Sequence, residues 1–182
     1  MSLKTKLNGL FYLLKPSTKL YLPIGVKKNV VIYDDFFPNP VTGFRLDEFT
    51  YLLNCIDSSK IIIDSEASNR SENLKEFFVK QGQGISKNRI AFASRINNIN
   101  AKIVYIIFYF NVMKIFKFLE VFHIRYIVTL YPGGGFVIND DNVDKNLKRI
   151  LGTELCRAVI VNQRFTRQYL LEKKFAHLIR FI

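Results

Sequence analysis

The chain has 182 residues, 49% of them apolar and 23% charged, with a formal net charge of +12. That length suits one well-buried core and is short for two ordinary domains, and the composition excludes a disordered chain. The two cysteines, Cys55 and Cys156, show neither CxxC nor Cys/His spacing, which argues against a disulfide framework or a zinc site and fits a reducing compartment.

The positive charge has two readings. The chain is rich in Ile, Lys, Asn, Phe and Tyr and has no Trp, a pattern that codon drift toward AT produces by accumulating surface lysine. The alternative is an anionic partner. Residues 1–29 carry Lys4, Lys6, Lys15, Lys19, Lys27 and Lys28 and no acid, and Leu7, Leu10, Phe11 and Leu14 share one helical face. Such a basic arm suits an interfacial helix on an anionic membrane surface, and equally a short helix packed on the domain. Asn8, Gly9 and Lys15 interrupt the apolar stretch a signal peptide needs.

The first buried strand is predicted at 30–34, followed by a loop at 35–44 that holds Pro38, Pro40 and Gly43. Leu46, Phe49, Leu52, Leu53 and Ile56 recur at helical spacing over 45–56. A strand at 60–64, a helix at 71–81 and a short strand at 89–93 come next. The apolar run at 102–108 reads as a strand, and Val112, Ile115, Phe116, Leu119 and Phe122 stripe a helix over 112–122. The strand at 124–130 runs into Tyr131-Pro-Gly-Gly-Gly-Phe136, and Asp140 and Asp141 open a helix over 140–151. Strands at 157–161 and 178–182 bracket a helix at 164–173.

Strands alternating with helices predict an α/β fold, a three-layer Rossmann-like domain with a mainly parallel sheet over 30–182. The longest apolar run, 103–113, ends at Asn111 and Lys114 and is short of the roughly 18 residues of a membrane-crossing helix. The expectation is a cytoplasmic protein, peripheral at the inner membrane face if the basic arm docks there. The last two residues, Phe181 and Ile182, fall inside a predicted strand, so the chain is expected to be truncated or to end on an edge strand.

Ligands of open parallel sheets bind beyond the carboxyl ends of the strands. Two loops there have unusual composition. Gly43 precedes a helix, where free N–H groups attract phosphate. Three consecutive glycines, Gly133, Gly134 and Gly135, carry an entropic cost that close approach of a substrate or a facing domain would justify, as would a tight turn. His123 and His177 pair with no carboxylate by spacing. Asp34 and Asp35 invite comparison with phosphorylation receiver domains, but Asp64 comes too early and no lysine falls suitably. Nucleic-acid binding is permitted by the charge and unsupported by any motif.

Taken together, 36–53 (FFPNPVTGFRLDEFTYLL), 127–136 (IVTLYPGGGF) and 159–171 (VIVNQRFTRQYLL) resemble the N-terminal half of bacterial GT-B glycosyltransferases of the group 1 type, in particular those of capsule and surface-polysaccharide synthesis. The resemblance covers 30–182. It implies an acceptor-side domain facing a nucleotide-sugar domain across a cleft, with no metal and no cofactor. It implies cleft-lining roles for Asn39, Thr42, Gly43 and Arg45, for Gly133, Gly134, Gly135 and Phe136, and for Asn162 and Gln163, and it assigns no catalytic residue. The family's glycine pair in the first loop is here the single Gly43, and no two glutamates have the spacing of its donor-binding signature.

The expected function is therefore the acceptor-binding half of a glycosyltransferase. A sugar would pass from a nucleotide-sugar, held by a missing or separate C-terminal domain, to a lipid-linked glycan. The alternative is a non-catalytic module that recruits a catalytic glycosyltransferase subunit.

Overall fold

The computed structural model describes residues 20–34, 45–63, 76, 85–92, 96–131 and 134–175. Within them the fold is α/β and Rossmann-like in class, with strands parallel to their hydrogen-bonded neighbours and helices in the connections. The chain divides into two compact units, one within Ser17–Lys102 and the other within Ile103–Ile182.

In Ser17–Lys102 the elements are β1 (Leu20–Leu22), β2 (Lys28–Asp34), α1 (Leu46–Cys55), β3 (Ser59–Ile63), a 3-10 turn at Lys87–Arg89, β4 (Ile90–Phe92) and β5 (Ile96–Asn98). β3 lies between β2 and β4, with Ile32 opposite Ile61 and Ile61 opposite Ile90. Val31, Ile32, Ile61, Ile62 and Ile63 are buried, as continuous apolar runs in a parallel sheet require. α1 buries Phe49 and Leu53, four residues apart on the predicted stripe. β1 pairs with β5, and the turn between β1 and β2 is tied down where Asn100 Nδ2 donates to the Gly25 carbonyl at 2.6 Å and Lys28 N to that of Asn100 at 2.7 Å.

β6 (Ala101–Ile107) leads into the second unit, which continues with α2 (Tyr109–Phe122), β7 (Arg125–Leu130), α3 (Asp141–Leu151), β8 (Cys156–Val161) and α4 (Arg164–Glu172). β7 lies between β6 and β8, with Ile107 opposite Thr129 and Thr129 opposite Ile160. Three parallel strands with a helix after each are a repeated β–α unit, and they bring the loops that leave β6, β7 and β8 to one edge. Val112, Ile115, Phe116 and Leu119 of α2 are buried, and Arg149 of α3 holds Glu120 at 2.6 Å with its guanidinium 4.7 Å from the Phe116 ring.

Two strands escaped the sequence reading. β1 falls inside the stretch read as a basic arm, and β5 follows the predicted strand at 89–93. Each has three residues, too few for an apolar period to show. α2 starts at Tyr109, three residues before its predicted start. The rest of the basic arm and the predicted strand at 178–182 lie outside the described residues, as does the 71–81 helix apart from helical Glu76. No helix among the described residues is long and apolar enough to cross a membrane.

Candidate functional site

The carboxyl edge of β6, β7 and β8 is organised by one unusual residue. Phe108 still donates its N–H to the Thr129 carbonyl at 2.9 Å, then turns the chain into α2 with φ 72° and ψ 142°. A side-chain-bearing residue avoids that conformation unless its surroundings over-determine it. Here they do. Its ring meets Tyr131 edge-on at 6.0 Å, and two residues on Phe110 N donates to the Gly134 carbonyl at 2.9 Å. The glycine loop is therefore fastened to the first turn of α2.

That fastening explains the glycines. Gly134 has φ 55° and Gly135 φ 81°, left-handed values that cost a residue with a Cβ about 1 kcal/mol or more. A Cβ at Gly134 would also stand 2.4 Å from Phe108 Cδ1, closer than carbon atoms can approach. One at Gly135 would meet only ordinary contacts with Tyr109 and Phe110, the nearest at 3.4 Å. The close approach anticipated from the sequence is thus made by the chain's own Phe108.

Beyond the glycines the loop is pinned to α4. Phe136 is buried, its ring 6.4 Å from Tyr169. Tyr169 accepts from Asn139 N at 2.8 Å and donates to the Asp144 carboxylate, which Lys173 also reaches at 2.8 Å. Burial raises the Asp144 carboxyl, but hydrogen bonds from Lys173 and Tyr169 outweigh it and hold the group below the usual carboxylate range. Burial and the Asp144 hydrogen bond push the Tyr169 phenol up. Asp140 caps α3, its Oδ1 accepting from Asn142 N and Val143 N at 2.9 Å, so that helix start is already satisfied.

The start of α4 is different. Asn162 is exposed and Gln163 partly so at the carboxyl end of β8, and no side chain caps the helix. Gln163 Oε1 and Thr166 Oγ1 are both buried and have no hydrogen-bond partner. An unpaired buried acceptor costs about 1–3 kcal/mol, so Gln163 is better placed turned out onto a hydroxyl or amide donor. On β6 and β7, Tyr105 Oη and Thr129 Oγ1 pair at 2.8 Å beneath this edge.

Of the residues singled out in the sequence, Gly134, Gly135, Phe136, Asn162 and Gln163 are therefore brought to one edge of one unit. Gly133, Asn39, Thr42 and Gly43 lie outside the described residues. Arg45 belongs to the other unit. It is buried, with φ 66° just before α1 and its guanidinium 5.8 Å from the Phe49 ring. His123 is exposed in the left-handed turn that ends α2. Cys55 is exposed and Cys156 buried, both free, and burial pushes the Cys156 thiol up to about 12. Among the described residues no group of three or more His, Cys, Asp or Glu could hold a metal ion.

The sequence reading missed Phe108, Phe110 and the Asp144–Tyr169–Lys173 triad. Asp144 and Tyr169 are 25 residues apart, and no local pattern joins them. Phe110 sits in an aromatic run that looks buried throughout, yet half of it is exposed. Comparison with family models, curated proteins and solved structures finds no match.

Proposed function

We propose that the chain is the acceptor-binding half of a glycosyltransferase of surface-polysaccharide synthesis. In this reading a lipid-linked glycan is held at the carboxyl edge of β6, β7 and β8, and the nucleotide-sugar is held by a further domain or a partner chain. The observation that carries the proposal is the start of α4. Gln163 Oε1 is buried without a partner, so turning outward onto a ligand donor would relieve it, and Asn162 adds an exposed amide beside it. A glycan is dense in hydroxyl donors, and an acceptor that gains such a donor recovers its desolvation cost. The likeness of 127–136 and 159–171 to glycosyltransferase N-terminal halves points the same way.

No catalytic residue is assigned. The edge binds and orients, and bond cleavage at the sugar diphosphate belongs to the donor side. Calorimetry with a polyprenyl-diphosphate-linked sugar and with a panel of nucleotide-sugars tests the reading. The lipid-linked sugar should bind, and Gln163→Leu should weaken it about tenfold without lowering the melting temperature. Binding of nucleotide-sugars alone, or lipid-linked sugar binding indifferent to Gln163→Leu, contradicts it. Recruitment of a catalytic subunit with no glycan bound would favour the non-catalytic module instead.

A further inference from the structure

Four exposed apolar side chains gather on the same edge. Phe110 is 51% exposed, Val137 55%, Ile138 41% and Phe165 50%. The segments that carry them are joined to one another. The Phe110 side chain lies 3.5 Å from where a Cβ of Gly135 would be, and Val137 and Ile138 follow in the same loop. Phe165 stands one helical turn before Tyr169, whose hydroxyl accepts from Asn139 N and whose ring faces Phe136. Exposing such groups together is costly in water, and an apolar patch of this kind marks an interaction surface.

The charges around it select the partner. Lys114 Nζ stands 4.6 Å from the Phe110 ring, and exposed Arg164 and Arg167 share the first turn of α4 with Phe165. Of the nearby acids, Asp140 is turned into the α3 cap and Asp144 is paired with Lys173, leaving Asp141 exposed. Apolar side chains with cations on the same helix turns match the interface of an anionic bilayer, where aromatic and aliphatic groups enter the acyl boundary and each basic side chain adds about 1 kcal/mol.

We infer that Phe110, Val137, Ile138 and Phe165 dock the carboxyl edge of β6–β8 on an anionic lipid surface, with Lys114, Arg164 and Arg167 against the headgroups. The inference rests on this geometry and not on the glycan reading. It concerns a different surface from the N-terminal lysines.

Co-sedimentation of the full chain with phosphatidylglycerol-containing vesicles, and with phosphatidylcholine vesicles as control, tests it. Binding should require phosphatidylglycerol, weaken with salt, and fall about tenfold or more in Phe110→Ser/Phe165→Ser. Tyr51→Ser, an exposed aromatic of the other unit, should leave it unchanged. Val137→Ser/Ile138→Ser should repeat the loss, which covers the case in which the phenylalanine pair misfolds by circular dichroism. The inference is overturned if vesicles are not bound, or if both apolar variants bind as the parent does. It is equally overturned if binding depends only on Lys4, Lys6 and Lys15, tested by reversal to Glu. Concentration-dependent self-association that the apolar variants remove would assign the patch to a second copy instead.

Discussion

A methyl group at position 134 would have to displace Phe108, and Phe108 is held on both sides, by Thr129 through its amide and by Tyr131 through its ring. Gly134→Ala should therefore cost more than the roughly 1 kcal/mol of left-handed strain alone, and Gly135→Ala, where contacts are ordinary, about that strain only. Urea unfolding of the two variants checks the order, and equal losses would show that Phe108 yields freely. The sequence marked these glycines as special but not why, because what bars a side chain at Gly134 is a phenylalanine ring 26 positions earlier. Asp144 carries a pH signature. Its folded carboxyl sits below its unfolded value, so its stabilising contribution is present above the ordinary carboxyl range and is lost as pH falls through the folded value. Asp144→Asn should thus be less stable than the parent near neutrality, with the gap closing in acid. A gap that persists at the lowest pH would mean that the triad acts by packing alone. The cysteines give a simpler check. An alkylating reagent at neutral pH should label exposed Cys55 promptly and leave Cys156 unlabelled until the chain unfolds.

Helices were the most legible elements, because their evidence is repeated along the chain. α1 and α3 each follow an apolar stripe, and α3 also has its start signal, since Asp140 accepts from two amides of the first turn. Asp140→Ala should lower stability by about 1 kcal/mol, measured as a shift of the urea midpoint with unchanged slope. No shift would mean that water caps the helix as well as the carboxylate does. The start of α2 was illegible for the opposite reason. Isoleucine, phenylalanine and tyrosine run unbroken from β6 into the helix, and only the backbone at Phe108 separates them. The long parallel strands announce themselves as runs of β-branched residues, whereas β1 and β5 are defined by pairing with each other across 76 positions, as Leu20 with Ile96. The candidate site divides along the same line. Its loops could be placed at a sheet edge from chain order alone, but the contacts that fasten the glycine loop to α2 and α4 are tertiary.

At the scale of the molecule, parallel strands with helical connections follow from the alternation of apolar runs and amphipathic stripes, and the structure has them in both units. The net charge of +12 has no single explanation in the fold, although Lys114 beside Phe110 and the arginines of the first turn of α4 give part of it a place, and the proposed anionic bilayer would give it a partner. The carboxyl edge of β6, β7 and β8 is proposed to hold a glycan. Hydrogen exchange read by mass spectrometry addresses it directly, with the chain alone, with empty detergent micelles, and with micelles carrying a polyprenyl-diphosphate-linked sugar. Empty micelles control for the apolar patch. Sugar-bearing micelles should protect 134–139 and 162–167 beyond whatever protection empty micelles give. The same protection from empty micelles, or sugar-dependent protection confined to the amino ends of the strands near Arg125 and Arg157, would contradict it.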